Sequence, residues 1–113
     1  MTMKYYSTNK TAPEASLEDA VIHGLAPDRG LYMPEEIQKL PAEFFQQLDQ
    51  LSLQEIAFTV ANSLFGQDIE ADVLQTIIQE TFSFDIPAIK VEDNIYSLEL
   101  FHGPTLAFKD VGA

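Results

Sequence analysis

The sequence has no cysteine and no tryptophan. Without cysteine there is no disulfide framework, no thiolate zinc site and no cysteine nucleophile. A chain free of thiols suits a reducing compartment, and a cytoplasmic protein is the expectation. Basic residues are also few: six Lys and Arg stand against 18 Asp and Glu, a formal charge of −12. Binding a nucleic acid requires Lys and Arg to neutralise its phosphates, so no nucleic-acid partner is expected. The same deficit argues against attachment to an anionic membrane surface. No apolar run approaches the ~20 residues of a membrane span. Residues 1–6 carry no apolar leader core. The two His both lie outside the acidic middle, and no His and carboxylate cluster has metal-ligand spacing. The five glycines are scattered, so no Gly-rich loop is available to cradle a phosphate.

What remains is an ordinary globular composition, 46% hydrophobic over 113 residues. That length accommodates one modest domain or a piece of a larger protein. The acidity is uneven. Residues 35–86 hold one lysine, Lys39, against ten carboxylates, so most of the −12 resides there. Such a stretch reads either as the solvated faces of helices or as a docking surface for a basic partner. Neither an internal repeat nor a low-complexity segment interrupts the chain.

Residues 4–8, rich in aromatic and hydroxyl side chains, predict a short strand. Ser16, with Asp19 three residues on, predicts a helix start, and Gly24 its end. Residues 24–34 hold two Gly, two Pro and Asp28, and so predict a loop. Leu25, Leu31, Tyr32 and Met33 within it predict a loop packed against a partner. Pro41 suits a first helical position, followed by Phe44, Phe45 and Leu48. Ser52 and Glu55 form a capping box ahead of the stripe Leu53, Ile56, Ala57, Val60, Ala61 and Leu64, closed by Gly66. Asp68 is positioned to cap a further helix with the face Val73, Leu74, Ile77, Ile78, Thr81 and Phe82. Residues 35–83 thus predict a small helical unit whose two stripes are core.

After Pro87 the period changes to that of strands. Residues 88–91 and 95–101 predict a hairpin turning at Glu92, Asp93 and Asn94. A turn follows at His102, Gly103, Pro104 and Thr105, and Thr105 is placed to cap a helix from Leu106 onward. A strand running through a turn into a helix is the opening of an α/β unit. Residues 87–113 are therefore expected to begin a second domain whose remainder lies beyond this chain. The fold class expected is α+β, with 1–86 as the small N-terminal domain.

Lys109 is the candidate for chemistry. Leu106, Ala107 and Phe108 precede it at the start of the expected helix. Desolvation and the positive end of a helix both favour a neutral lysine amine. A neutral amine can condense with an aldehyde to a Schiff base. Spacing alone describes a surface lysine equally well. His102 reads as a turn residue or a substrate contact, and His23 as a helix-end residue. Asp28 and Arg29 read as loop-fixing residues, and Glu35 and Glu36 as surface acids rather than an acid/base pair.

The run from Leu98 to Asp110, LELFHGPTLAFKD, resembles the lysine segment of the threonine synthase family. Residues 24–34, GLAPDRGLYMP, resemble that family's N-terminal signature, and Tyr5-Tyr6-Ser7-Thr8 match its start. The resemblance covers nearly the whole chain. It implies a fold-type II pyridoxal-phosphate enzyme, in which O-phospho-L-homoserine and water become L-threonine and phosphate. By that resemblance Lys109 holds the cofactor as a Schiff base and moves protons, with Phe108 a further cofactor contact. Thr105 and Asp110 are the implied substrate contacts. The cations needed for two phosphates are scarce among six basic residues, so this length alone is expected to be inactive. Three other readings stand beside it: a dehydratase-like enzyme of the same fold type, a non-catalytic acidic helical module, and a threonine synthase-like protein that has lost activity.

Overall fold

A computed structural model describes residues 2–112 and divides the chain into two compact units. One runs to Ile78, and the other begins at Gln79.

The first unit is organised around strand β1 (Tyr5–Ser7), whose alternating residues Tyr5 and Ser7 are buried while Tyr6 faces out. Its partner is β2 (Tyr32–Pro34), antiparallel, with Tyr6 opposite Met33. On the other side Tyr5 exchanges both backbone hydrogen bonds with Ala15, at 3.0 and 2.9 Å. Residues 24–34 are therefore more than a loop. The chain folds back at Asp28 and Arg29, Leu25 bridges Leu31, and the stretch ends in a strand. The expected packing is divided: Ala26 is buried and Tyr32 lies against the core, but Leu25 and Leu31 are exposed.

Helix α1 (Leu17–His23) starts as expected. Ser16 Oγ accepts the Asp19 N–H at 3.1 Å, and Gly24 closes the helix at φ 70° by donating to the Ala20 carbonyl. Leu17 is its buried residue and joins Met3 and Tyr5 in the core, with Ala20, Tyr32, Phe65 and Ile69 packed on them. Helix α2 (Ala42–Gln46) is short, and a 3-10 turn (Leu48–Gln50) follows it. Phe44 and Phe45 meet edge to face at 5.3 Å.

Helix α3 (Leu53–Phe65) has the complete capping box. Ser52 Oγ accepts the Glu55 N–H at 3.2 Å, and the Glu55 carboxylate accepts the Ser52 N–H at 2.7 Å. That bonding holds the Glu55 carboxyl below the usual range. The backbone donor of Ser52 contributes most, its hydroxyl next, against a small opposing effect of burial.

The end of α3 is tied to β1. The Tyr5 hydroxyl donates to the Leu64 carbonyl at 3.1 Å, and the Met3 N–H donates to Asp68 Oδ2 at 3.2 Å. Asp68 was expected to cap the next helix, but α4 (Ala71–Thr81) begins three residues later and the carboxylate serves Met3 instead. The helices thus share a core with the N-terminal strand. Leu74 and Ile78 of α4 are buried, whereas Val73 and Ile77 of the expected face are half-exposed. Of the ten acids in 35–86, all but Asp68 are exposed, as solvated helix faces require.

In the second unit, β3 (Ala88–Glu92) and β4 (Ile95–Leu98) form the expected antiparallel hairpin. Its turn is Asp93 and Asn94, the latter at φ 64°, a left-handed conformation that Asn tolerates. A bulge interrupts the register between Lys90 and Glu92. β4 ends at Leu98, short of the expected Phe101. Helix α5 (Lys109–Gly112) follows, and the last residue of the expected helix, Ala113, lies outside the described residues. Among the described residues no helix is long and apolar enough to cross a membrane.

Candidate functional site

The lysine-bearing turn is built from the end of β4 onward. Glu99 donates its N–H to the Pro87 carbonyl at 2.9 Å, which extends the hairpin by one pairing. Its carboxylate meets His102 Nε2 at 2.9 Å, and the His102 ring lies against Phe101 with centroids 4.5 Å apart. His102 is thereby a turn residue held from two sides.

The helix expected from Leu106 starts later. Leu106 adopts φ 60°, which a continuous right-handed helix does not allow. Thr105 therefore caps nothing, and Lys109 is itself the first residue of α5. Between them the chain makes tight turns: the Leu106 N–H donates to the Gly103 carbonyl, and the Asp110 N–H to the Ala107 carbonyl, both at 3.1 Å.

Asp110 closes this turn. One carboxylate oxygen accepts the Thr105 hydroxyl at 2.7 Å and the other accepts the Thr105 N–H at 2.9 Å. These bonds hold the Asp110 carboxyl below the usual range. The Thr105 hydroxyl contributes most, burial opposes it, and the N–H groups of Thr105, Ala107 and Leu106 add to it. Gly103 is buried directly beneath the carboxylate, and a Cβ there would collide with the Asp110 side chain. Thr105 and Asp110, both expected to contact substrate, face each other.

Lys109 is exposed and enters no ion pair among the described residues. Leu106 and Phe108 beside it are 73% and 68% exposed, so they do not supply the expected desolvation in this chain.

The signature of residues 24–34 has a different role. Asp28 Oδ1 accepts the Ser7 hydroxyl at 2.5 Å and the Gly30 N–H at 3.0 Å. Oδ2 accepts the Thr11 hydroxyl and N–H, both at 3.0 Å, and the Ala12 N–H at 2.9 Å. The Asp28 carboxyl is held far below the usual range. The Ser7 hydroxyl contributes most, burial opposes, and the three N–H groups assist. Gly30 passes so close to Ser7 Oγ that no side chain fits. Asp28 thus fixes the loop, and Arg29, at φ 67°, is exposed at its tip. Sequence reasoning named Asp28 but not its five donors, which sit 2–21 residues away.

The other single residues lie outside any common site. His23 Nδ1 bonds the Asp19 carbonyl at 2.8 Å, and Glu35 accepts the Lys4 N–H at 3.1 Å. An open hollow of about 320 Å³ over α1 is lined by Asp19, His23, Leu25 and Tyr32 among others. No group of three His, Asp or Glu among the described residues is placed to hold a metal.

Solved structures of threonine synthases share this fold. A PLP-bound threonine synthase from Brucella melitensis superposes with TM-score 0.85 at 40% identity, over 97% of this chain and 25% of that one. The threonine synthase of Escherichia coli superposes with the same TM-score at 30% identity, over 96% of this chain and 25% of that one. In sequence, the threonine synthase of Methylobacillus glycogenes is 37% identical over 96% of this chain and 26% of its own length. The chain therefore spans about a quarter of the length of the relatives it matches. Residues 4–82 match the family described as threonine synthase N terminus, and the chain belongs to that family.

Proposed function

We propose that the full-length protein carrying this chain is a threonine synthase. It converts O-phospho-L-homoserine and water to L-threonine and phosphate, as a carbon–oxygen lyase dependent on pyridoxal phosphate. The observation that carries the reading is likeness to threonine synthases over 97% of the chain, at 40% identity and TM-score 0.85. In this reading residues 1–86 are the N-terminal domain and 87–113 the entry to the cofactor domain. The end of the family match at residue 82 and the division of the chain after Ile78 support that placement. The substrate is a small molecule, and the enzyme works in the cytoplasm.

Lys109 holds the cofactor covalently, with Phe108 as apolar surface beside it. The run LELFHGPTLAFKD around it, which resembles the family's lysine segment, supports the assignment. Pyridoxal phosphate, when bound, supplies an electron sink for carbanion chemistry next to the substrate amine. The Lys109 amine, when free, would hold and move a proton at Nζ. Lys109 and His102 are the only basic side chains between 98 and 112, so the phosphates need cations from elsewhere in the full-length protein.

The test is borohydride reduction of the full-length protein followed by peptide mapping. The pyridoxyl label is expected on Lys109, and a label on another lysine refutes the site. Phosphate release from O-phosphohomoserine is the matching activity. Keto-acid formation from threonine in its place would make the protein a dehydratase.

A further inference from the structure

We propose that Asp110 and Thr105 are positioning residues for Lys109 rather than ligands of the substrate. The inference rests on the reading of Lys109 as the cofactor's attachment point. Both carboxylate oxygens of Asp110 are engaged inside the turn, by the N–H and hydroxyl of the same threonine. A substrate amine or hydroxyl would have to compete with those donors and with the N–H groups of Ala107 and Leu106, which also face the carboxylate. The pairing also joins the two ends of an irregular segment, since Thr105 precedes the left-handed Leu106 and Asp110 follows Lys109.

The covalent geometry makes the consequence direct. Lys109 lies between the clasp's acceptor and a stretch with no continuous helix to steady it. The clasp spans Lys109 from Thr105 to Asp110 and so orients its backbone. Gly103 is the floor of the device: it is buried, and only hydrogen on its Cα leaves room for the carboxylate. Charge-assisted bonds of this kind are short and about twice as strong as neutral ones. The Asp110 carboxyl held below its usual range agrees with a carboxylate that stays ionised to accept them.

A positioning role and a substrate role predict different kinetics. Loss of position slows every step that needs the lysine amine in place, whereas loss of a substrate contact raises KM. The test uses the full-length protein with Asp110→Asn, Thr105→Val and Thr105→Ser. Three readouts are taken: the rate at which apoprotein takes up pyridoxal phosphate, followed by its visible absorbance; kcat and KM for O-phosphohomoserine; and borohydride mapping. Asp110→Asn and Thr105→Val are expected to slow cofactor uptake and lower kcat about 10–100-fold, with KM within about threefold. Thr105→Ser, which keeps the hydroxyl, is expected to recover most of the uptake rate lost in Thr105→Val.

A KM raised tenfold or more with uptake and kcat unchanged would overturn the proposal in favour of substrate binding. So would Thr105→Ser behaving like Thr105→Val. If Asp110→Asn does not fold, the Val and Ser pair at 105 decides alone. Failure of the underlying reading is separate: the wild-type label would then map to a lysine other than Lys109.

Discussion

Replacing Tyr5 by Phe removes one oxygen from the core and tests how the N-terminal strand is joined to the helices. Tyr5 is 5% exposed, and its hydroxyl donates to the Leu64 carbonyl, one of the last carbonyls of α3 that have no partner within the helix. A hydrogen bond contributes about 1 kcal/mol net, and a buried acceptor left without a partner costs up to about 3 kcal/mol. The ring itself stays, so no cavity term adds to this. A loss of about 1–3 kcal/mol follows, readable as a lower urea midpoint with unchanged m. In a thermal melt each kcal/mol corresponds to roughly 4–8 °C for a domain of this size.

The same substitution carries a signature in pH. Burial, and then the nearby Asp68 charge, raise the Tyr5 phenol above its ordinary value. The unfolded chain loses that proton near pH 10, while the folded chain retains it. Stability supplied by Tyr5 is therefore whole below about pH 10 and declines as pH rises toward the folded value. In Tyr5→Phe that part of the alkaline loss disappears. A variant within 0.3 kcal/mol (roughly the error of such a comparison) at neutral pH would refute the tie between β1 and α3. So would an alkaline decline identical to that of the parent.

Gly30→Ala places a methyl against buried Ser7 Oγ, with the Asn9 nitrogen at 2.9 Å, and should cost about 1–3 kcal/mol in the same melt. A neutral outcome would mean the loop can withdraw from β1. The depressed carboxyls of Asp28, Glu55 and Asp110 contribute stability that is complete above about pH 4–5 and is lost as pH falls below it. Asp28→Asn should therefore flatten the acid limb of an unfolding titration, and an unchanged limb would contradict the donor set described. Finally, the 113-residue chain mixed with pyridoxal phosphate and desalted should keep no cofactor absorbance. A band that survives would show that fewer cations suffice to hold it.

What could be read from the sequence was local. The Ser16 and Ser52 caps and the turn at Asp93 and Asn94 depend on residues three or fewer apart, and each stands where its spacing puts it. The failures involve distant partners. Tyr32–Pro34 is too short to show a period of two and becomes a strand only because Tyr5–Ser7 lies beside it. Asp68 has the spacing of a cap, but its partner is 65 residues away. Thr105 is a good cap residue in front of an apolar run, yet the bond to Asp110 takes its hydroxyl and delays the helix. Lys109 was legible only through the words around it, since nothing in its spacing distinguishes it from a surface lysine. The clasp that presents it had one local signal: a glycine two residues before the threonine, where the carboxylate needs the space.

The five bonds to Asp28 set limits on how this part of the protein can diverge in length. Inserting or deleting a residue between Ser7 and Ala12, or between Ala26 and Leu31, shifts a donor away from a single fixed carboxylate. The register of β1 against β2 would move with it. The exposed stretch 36–39, which lies outside every helix and strand, has no such constraint. Relatives should therefore gain and lose residues after β2 while keeping the spacings from Ser7 to Ala12 and from Ala26 to Leu31 unchanged.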